Sequence, residues 1–187
     1  IVGQAVMDFG ATISSALVVI GDKLGFYREL AGAGPLTPTE LATRTECDER
    51  YVHPWLVNQA AGGYVTYQSA TGRYLLSPEQ ALALTDETSP YFVAGGFQLV
   101  TAAIKAGPRI SDAIKHGGGL AWGEHDHGLF EGTERFFRPG YEANLVQSWI
   151  PALDGIGEKL NTGATVADIG CGHGASTLAM ARAFPRS

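Results

Sequence analysis

Apolar positions at three- and four-residue spacing dominate the start of the chain. Ile13, Ala16, Leu17, Ile20 and Leu24 share one face, which predicts a helix over residues 6–30, broken at Gly21 or Gly25. A helix that long and apolar needs a partner, from its own domain or a second subunit. Thr37-Pro38-Thr39-Glu40 then reads as a helix start, with Thr37 as N-cap, Pro38 in the first turn and Glu40 closing a capping box. That helix is expected to run to about Thr45. Asp48 caps the next, which carries Tyr51, Val52, Trp55, Leu56 and Val57 and stops at Gly62-Gly63. Pro54 removes one of its backbone bonds, predicting a kink or a late start. Residues 64–67 and 73–76 are short strands around the turn Ser69-Ala70-Thr71-Gly72.

The second half is mostly helical by the same criteria. Ser77-Pro78-Glu79 opens a short helix to Leu84, and residues 90–105 form an apolar one ending at Gly107-Pro108. Residues 109–116 are a further short helix, stopped by three consecutive glycines. Residues 133–137 and 141–150 read as two helices split by Pro139-Gly140, and Pro151 opens another through Leu160, closed by Asn161 and Gly163. The period then changes. Residues 166–169 suit a short buried strand, glycines alternate behind them, and residues 175–183 return to a helix.

Helix, helix, hairpin over residues 37–76 is the winged helix-turn-helix arrangement. A DNA-reading helix should carry several basic or amide side chains near its N-terminus. Here that position shows Glu49, Arg50 and His53 before turning apolar, and the wing offers only Arg73. Dimerisation and covering of a substrate are the better-supported roles, with DNA binding the less favoured one. A net charge of −6 also argues against a large nucleic-acid footprint. Cys47 and Cys171 are far apart and lack C-x-x-C spacing, so neither a disulfide scaffold nor a zinc ribbon is indicated. The apolar run at residues 11–20 is too short for a bilayer and lacks a basic leader, so no membrane role and a cytoplasmic location are expected.

The candidate chemistry lies near residue 170. A strand, a glycine turn and a helix N-terminus form a nucleotide-binding device, because glycine admits close approach and the helix start offers free N–H groups. Gly170, Gly172 and Ala175 fit the G-x-G-x-x-G/A spacing of NAD and FAD sites, and an ordinary strand–turn–helix shares the pattern. Asp168 at the strand end and the added Gly174 make the run D-x-G-x-G-x-G. An anion there repels a pyrophosphate but accepts hydrogen bonds from a cationic or hydroxyl-bearing ligand. This run resembles motif I of the class I S-adenosylmethionine-dependent methyltransferases, many of which carry an N-terminal winged-helix domain used to dimerise.

The resemblance implies a mainly α chain with a small winged-helix hairpin, followed by the first β-α unit of a truncated Rossmann-like α/β domain. Three regions are expected: a dimerisation domain (1–85), helical linker and substrate cover (86–162), and the start of the cofactor domain (163–187). It implies an N-terminal fragment, inactive by itself, of an enzyme that methylates a small molecule. The ribose-binding acid would fall about 20 residues past the glycines, at or beyond Ser187. The implied cofactor is S-adenosylmethionine, contacted by Asp168, Gly170, Cys171, Gly172 and Gly174, with Tyr141 and Arg138 as further candidates. Phe136, Phe137, Tyr141 and Trp149 make an aromatic approach that suits a sulfonium cation. Arg138 can alternatively pair with Glu134 or Glu142.

The polar stretch Trp122 to Gly128 holds Glu124, His125, Asp126 and His127. His125 and His127 are candidates for a general base near neutral pH. Metal ligation and a solvated interdomain loop are the alternatives, although no metal is assigned, and the family's usual base histidine lies further C-terminal. A rival reading is a transcriptional regulator with a ligand-sensing domain, and a third is a dimerisation scaffold. Residues 166–169 would be central in a complete sheet, so here the strand should pair across a dimer, find another partner or leave its usual place.

Overall fold

A computed structural model describes residues 1–187. Helix α1 (Val2–Lys23) and helix α2 (Phe26–Leu30) are separated at Gly25, whose φ of 77° only glycine adopts cheaply. The break falls at the second of the two expected glycines. Helix α3 (Pro38–Arg44) has the full Thr37–Glu40 capping box, and Asp48 caps helix α4 (Glu49–Ala61). Helix α4 starts on time and continues past Pro54, so the expected late start does not occur. Strands β1 (Thr66–Gln68) and β2 (Arg73–Leu75) pair antiparallel, with Tyr67 opposite Tyr74. Leu36 forms an isolated bridge on the other edge of β2, exchanging both backbone hydrogen bonds with Tyr74 at 2.7 and 2.8 Å.

These elements and helix α5 (Pro78–Leu84) enclose the main core, centred on Val18, Tyr27, Leu41, Val52, Leu56 and Val65. Trp55 packs edge-on against Phe26 at 4.7 Å and donates its indole N–H to the Leu17 carbonyl. The buried Tyr27 hydroxyl donates to Gln59 at 2.5 Å; burial first, then Tyr64 and Asp22, hold its pKa well above the usual phenol range. Only the C-terminal end of α1 (Val18, Gly21, Asp22) is buried, while Val2, Val6, Met7, Phe9 and Ile13 are exposed. The whole helix is long and apolar enough to cross a membrane by length and composition, which the shorter run at residues 11–20 is not. Its C-terminal end is built into the protein core instead.

Helix α6 (Ala94–Ile104) lies between α1 and α8 (His127–Asn144), and helix α7 (Gly107–His116) follows it. Helix α6 starts later than Pro90 because Ser89 accepts the Tyr91 N–H and shapes a turn first. Helix α8 corrects a larger expectation. It runs unbroken through Pro139-Gly140, with Pro139 fully buried, and relaxes into a π-helical turn only at Leu145–Trp149. Contact with α6 outweighs the lost backbone bond, and a π turn is a known way to absorb such strain. The helices approach closely at Gly132, where a Cβ would collide with the backbone of Leu99 and Gly95.

An ion network ties α8 to the first core. Arg135 bonds Asp22 at 2.8 Å and Glu87 at 2.6 Å, and reaches Gln98 at 2.8 Å. Burial alone would lower the pKa of Arg135, but hydrogen bonds to Asp22 and Glu87 offset this and hold it above the usual guanidinium value. A second, small core joins Ile150, Leu160 and Phe184. Helix α9 (Ile156–Thr162) begins after Gly155 rather than at Pro151, because residues 151–155 form turns.

Residues 166–169 overturn the expectation of a buried strand. They carry no ladder, and Val166 and Ile169 are 47% and 93% exposed. The only sheet is the β1–β2 hairpin, so the segment finds no backbone partner within this chain.

Two stability outcomes follow. Gly132→Val should cost about 1–3 kcal/mol by overpacking, whereas Gly140→Ala, with open space at its Cβ, should be neutral or stabilising. Urea unfolding of both variants checks the contrast. Arg135→Met should cost about 2–3 kcal/mol because it leaves the buried Asp22 carboxylate with only the longer Arg28 pair at 3.6 Å, and adding Asp22→Asn should recover part of that loss in the same assay.

Candidate functional site

The glycine turn is built by backbone conformations that other residues resist. Gly170, Gly172 and Gly174 have φ values of 77°, 56° and 80°. The Gly174 N–H donates to the Cys171 carbonyl at 2.9 Å and closes the turn, and Gly174 then caps helix α10 (Ala175–Ala183). Asp168 Oδ2 accepts hydroxyl hydrogen bonds from Thr177 at 2.7 Å and Ser176 at 2.8 Å. Thr177 first and Ser176 second hold the Asp168 carboxyl below the usual aspartate range. A fixed anion therefore stands beside the helix N-terminus at neutral pH.

One face of α8 stands opposite. Phe130, Thr133, Glu134, Phe137 and Tyr141 line a cavity of about 910 Å³, with Trp122 at its edge. The facing wall is Asp168 to His173 with Ala175 and Ser176. Phe137 and Tyr141 are stacked at 6.3 Å, and Trp122 meets Phe130 edge-on at 5.3 Å. No lysine or arginine lines this space, while two carboxylates do. Such a cavity suits a ligand with a cationic part and an apolar or aromatic part.

The cavity brings together Asp168, Gly170, Cys171, Gly172 and Tyr141. Gly174 sits behind them as the helix cap. Arg138 does not line the cavity: it bonds Glu134 at 2.7 Å and Glu87 at 3.2 Å, pairing with Glu134 rather than Glu142. Phe136 packs over Gly96 of α6, and Trp149 touches Tyr141 edge-on without lining the cavity.

The polar stretch before α8 is used for local structure. Glu124 accepts the Ala121 N–H and pairs with Arg109, which lowers its pKa in that order of effect. Asp126 bonds Lys105 and caps α8 through the Gly128 N–H, and those two bonds, in that order, lower its pKa. His127 opens α8 and lies 3.0 Å from Glu131. His125 Nδ1 is buried without a hydrogen-bond partner beside Trp122. Neither histidine lines the cavity.

Phe130, Thr133 and Glu134 escaped the sequence reading as lining residues. They follow one helical face together with Phe137 and Tyr141, which that reading had named. Splitting the helix at Pro139-Gly140 hid that stripe. Ser176 and Thr177 carried a legible signal, two hydroxyls in the first turn after a glycine cap.

Residues 12–86 match the Rv2258c-like winged HTH domain. By sequence, no curated protein matches the chain. By structure, the chain is similar to the mitomycin 7-O-methyltransferase MmcR, with a TM-score of 0.67 and 20% identity over 98% of this chain and 56% of that one. It is similar to CalO1, a methyltransferase in calicheamicin biosynthesis solved in its SAH-bound form (TM-score 0.62, 21% identity, 98% of this chain and 55% of that one). Human N-acetylserotonin methyltransferase in complex with SAM gives a TM-score of 0.63 at 17% identity, over 98% of this chain and 56% of that one. The chain shares the fold of the matching part of these three structures. The chain spans just over half the length of these structures.

The wing does not present a free cation to a duplex. Arg73 bonds Glu40 at 2.7 Å and the Pro35 carbonyl at 3.0 Å. Glu40 is held below its usual pKa by the Thr37 N–H first and by Arg73 second.

For Asp168, replacing both Ser176 with Ala and Thr177 with Val should raise its pKa toward the ordinary aspartate value. Carbon-13 titration of the carboxylate reads this directly, and an unchanged midpoint would show that the two hydroxyls do not set it.

Proposed function

We propose that this chain is part of an S-adenosylmethionine-dependent methyltransferase acting on a small-molecule acceptor. The observation that carries the reading is the shared cavity, in which the D-x-G-x-G-x-G turn faces the aromatic side of α8. Bound there, the cofactor would supply an electrophilic sulfonium methyl. Phe137 and Tyr141 offer ring faces to a cation, and the glycine turn gives close backbone approach. The first N–H groups of α10 point toward the same turn and can hydrogen-bond a carboxylate or hydroxyl. Methyl displacement needs mainly alignment of donor and acceptor, with a base only where the nucleophile still carries its proton. The walls of this cavity would provide that alignment.

A homodimer belongs to the same proposal. The N-terminal half of α1 exposes Val2, Val6, Met7, Phe9 and Ile13, an apolar face that a second copy would cover. The similarity of residues 12–86 to a winged HTH domain keeps the regulator as a rival, but Arg73 is engaged by Glu40.

Calorimetric titration of S-adenosylmethionine into this chain, and into a version extended through its reading frame, tests the proposal. The extended version should bind at least tenfold more tightly and turn over acceptor, because the ribose-binding acid of such folds lies about 20 residues past the glycines. Absence of binding to either form would reduce the glycine turn to a structural feature and favour the regulator.

A further inference from the structure

We propose that Glu134 is the receptor for an alkylammonium group in the cavity beside the glycine turn. Glu134 projects from the middle of the aromatic face of α8, and only its Oε1 has a protein donor, Arg138 Nε at 2.7 Å. Oε2 is left to accept from a ligand. The other carboxylate of the cavity, Asp168, already takes the Ser176 and Thr177 hydroxyls on one oxygen.

Arg138 does not neutralise Glu134 alone, because its Nη2 also reaches Glu87 at 3.2 Å. Glu87 in turn bonds Arg135, so the guanidinium charge is shared along the network. That network also fixes the Glu134 rotamer, which makes Arg138 a positioning residue. An ammonium group brings three N–H donors and a positive charge, and a charge-assisted bond to a half-buried carboxylate is stronger than a neutral one. The nearby rings of Phe130, Phe137 and Tyr141 favour the same charge. An anionic ligand would meet two carboxylates and no lysine or arginine on the lining. The cavity therefore selects for cations.

In the methyl-donor reading, on which the ligand's identity rests, the ammonium belongs to the aminoacyl end of the cofactor. An amine on the acceptor has the same chemistry. Calorimetry on the extended version separates the two sources, using S-adenosylhomocysteine, its analogue lacking the α-amino group, and 2-phenylethylammonium as probes. Glu134→Gln keeps an acceptor for Arg138 Nε and removes the charge. The variant should lose about tenfold in affinity for S-adenosylhomocysteine, with the deaminated analogue unaffected and Glu134→Asp recovering part of the loss. If S-adenosylhomocysteine binds neither protein but 2-phenylethylammonium weakens tenfold in Glu134→Gln, the ammonium site stands and the methyl-donor reading fails. Equal losses for the amino and deaminated probes, unchanged binding of both amines, or no binding of either amine to the unsubstituted protein would overturn the proposal. Thermal melting of each variant identifies any that misfold.

Discussion

Arg135 holds the two halves of the molecule in register. Its guanidinium joins Asp22 at the end of α1, Glu87 in the connection after α5, and Gln98 on α6. Asp22 is only 8% exposed, so its charge is tolerable only with a partner in place. A planar group with five donors holds the three elements with five hydrogen bonds, more than the three donors of a lysine can make. The position of α8 depends on that arrangement, and the cavity depends on α8. From Arg135 the network continues through Glu87 and Arg138 to Glu134, linking the winged unit to the cavity wall.

The opposite wall is made differently. Short-range bonds suffice there: left-handed glycines shape the turn, Gly174 caps α10, and two hydroxyls from the first turn of α10 fix Asp168. Nothing in this wall needs a neighbouring strand. The turn is therefore formed although residues 166–169 lie unpaired and largely exposed. One wall of the site is a local structure and the other is a tertiary one.

That difference explains how much could be read from residues alone. The Thr37–Glu40 capping box, the helix start at Ser77 and the cap at Asp48 were legible because donor and acceptor lie within three residues of each other. The break at Gly25, the hairpin over residues 66–75 and the α10 start are local for the same reason. The motif residues of the turn were legible too, and five of the seven named cofactor candidates line the cavity. Their role in binding is part of the proposal, not of the geometry.

The errors fall where a distant partner decides. Pro139-Gly140 looks like a helix break in isolation, yet packing on α6 carries α8 across it and aligns Phe130, Glu134, Phe137 and Tyr141 on one face. The pairing of Arg138 with Glu134 is local, whereas its second partner, Glu87, lies 51 residues away and only the fold brings it close. A strand needs backbone partners, and the apolar run at residues 166–169 could not supply them from its own sequence. By itself the sequence determined the caps, the glycine turn and the hairpin, since each is closed by bonds a few residues long. Only the tertiary structure decided which face of α8 meets that turn, because that depends on contacts among α1, α6 and α8 made across the whole chain.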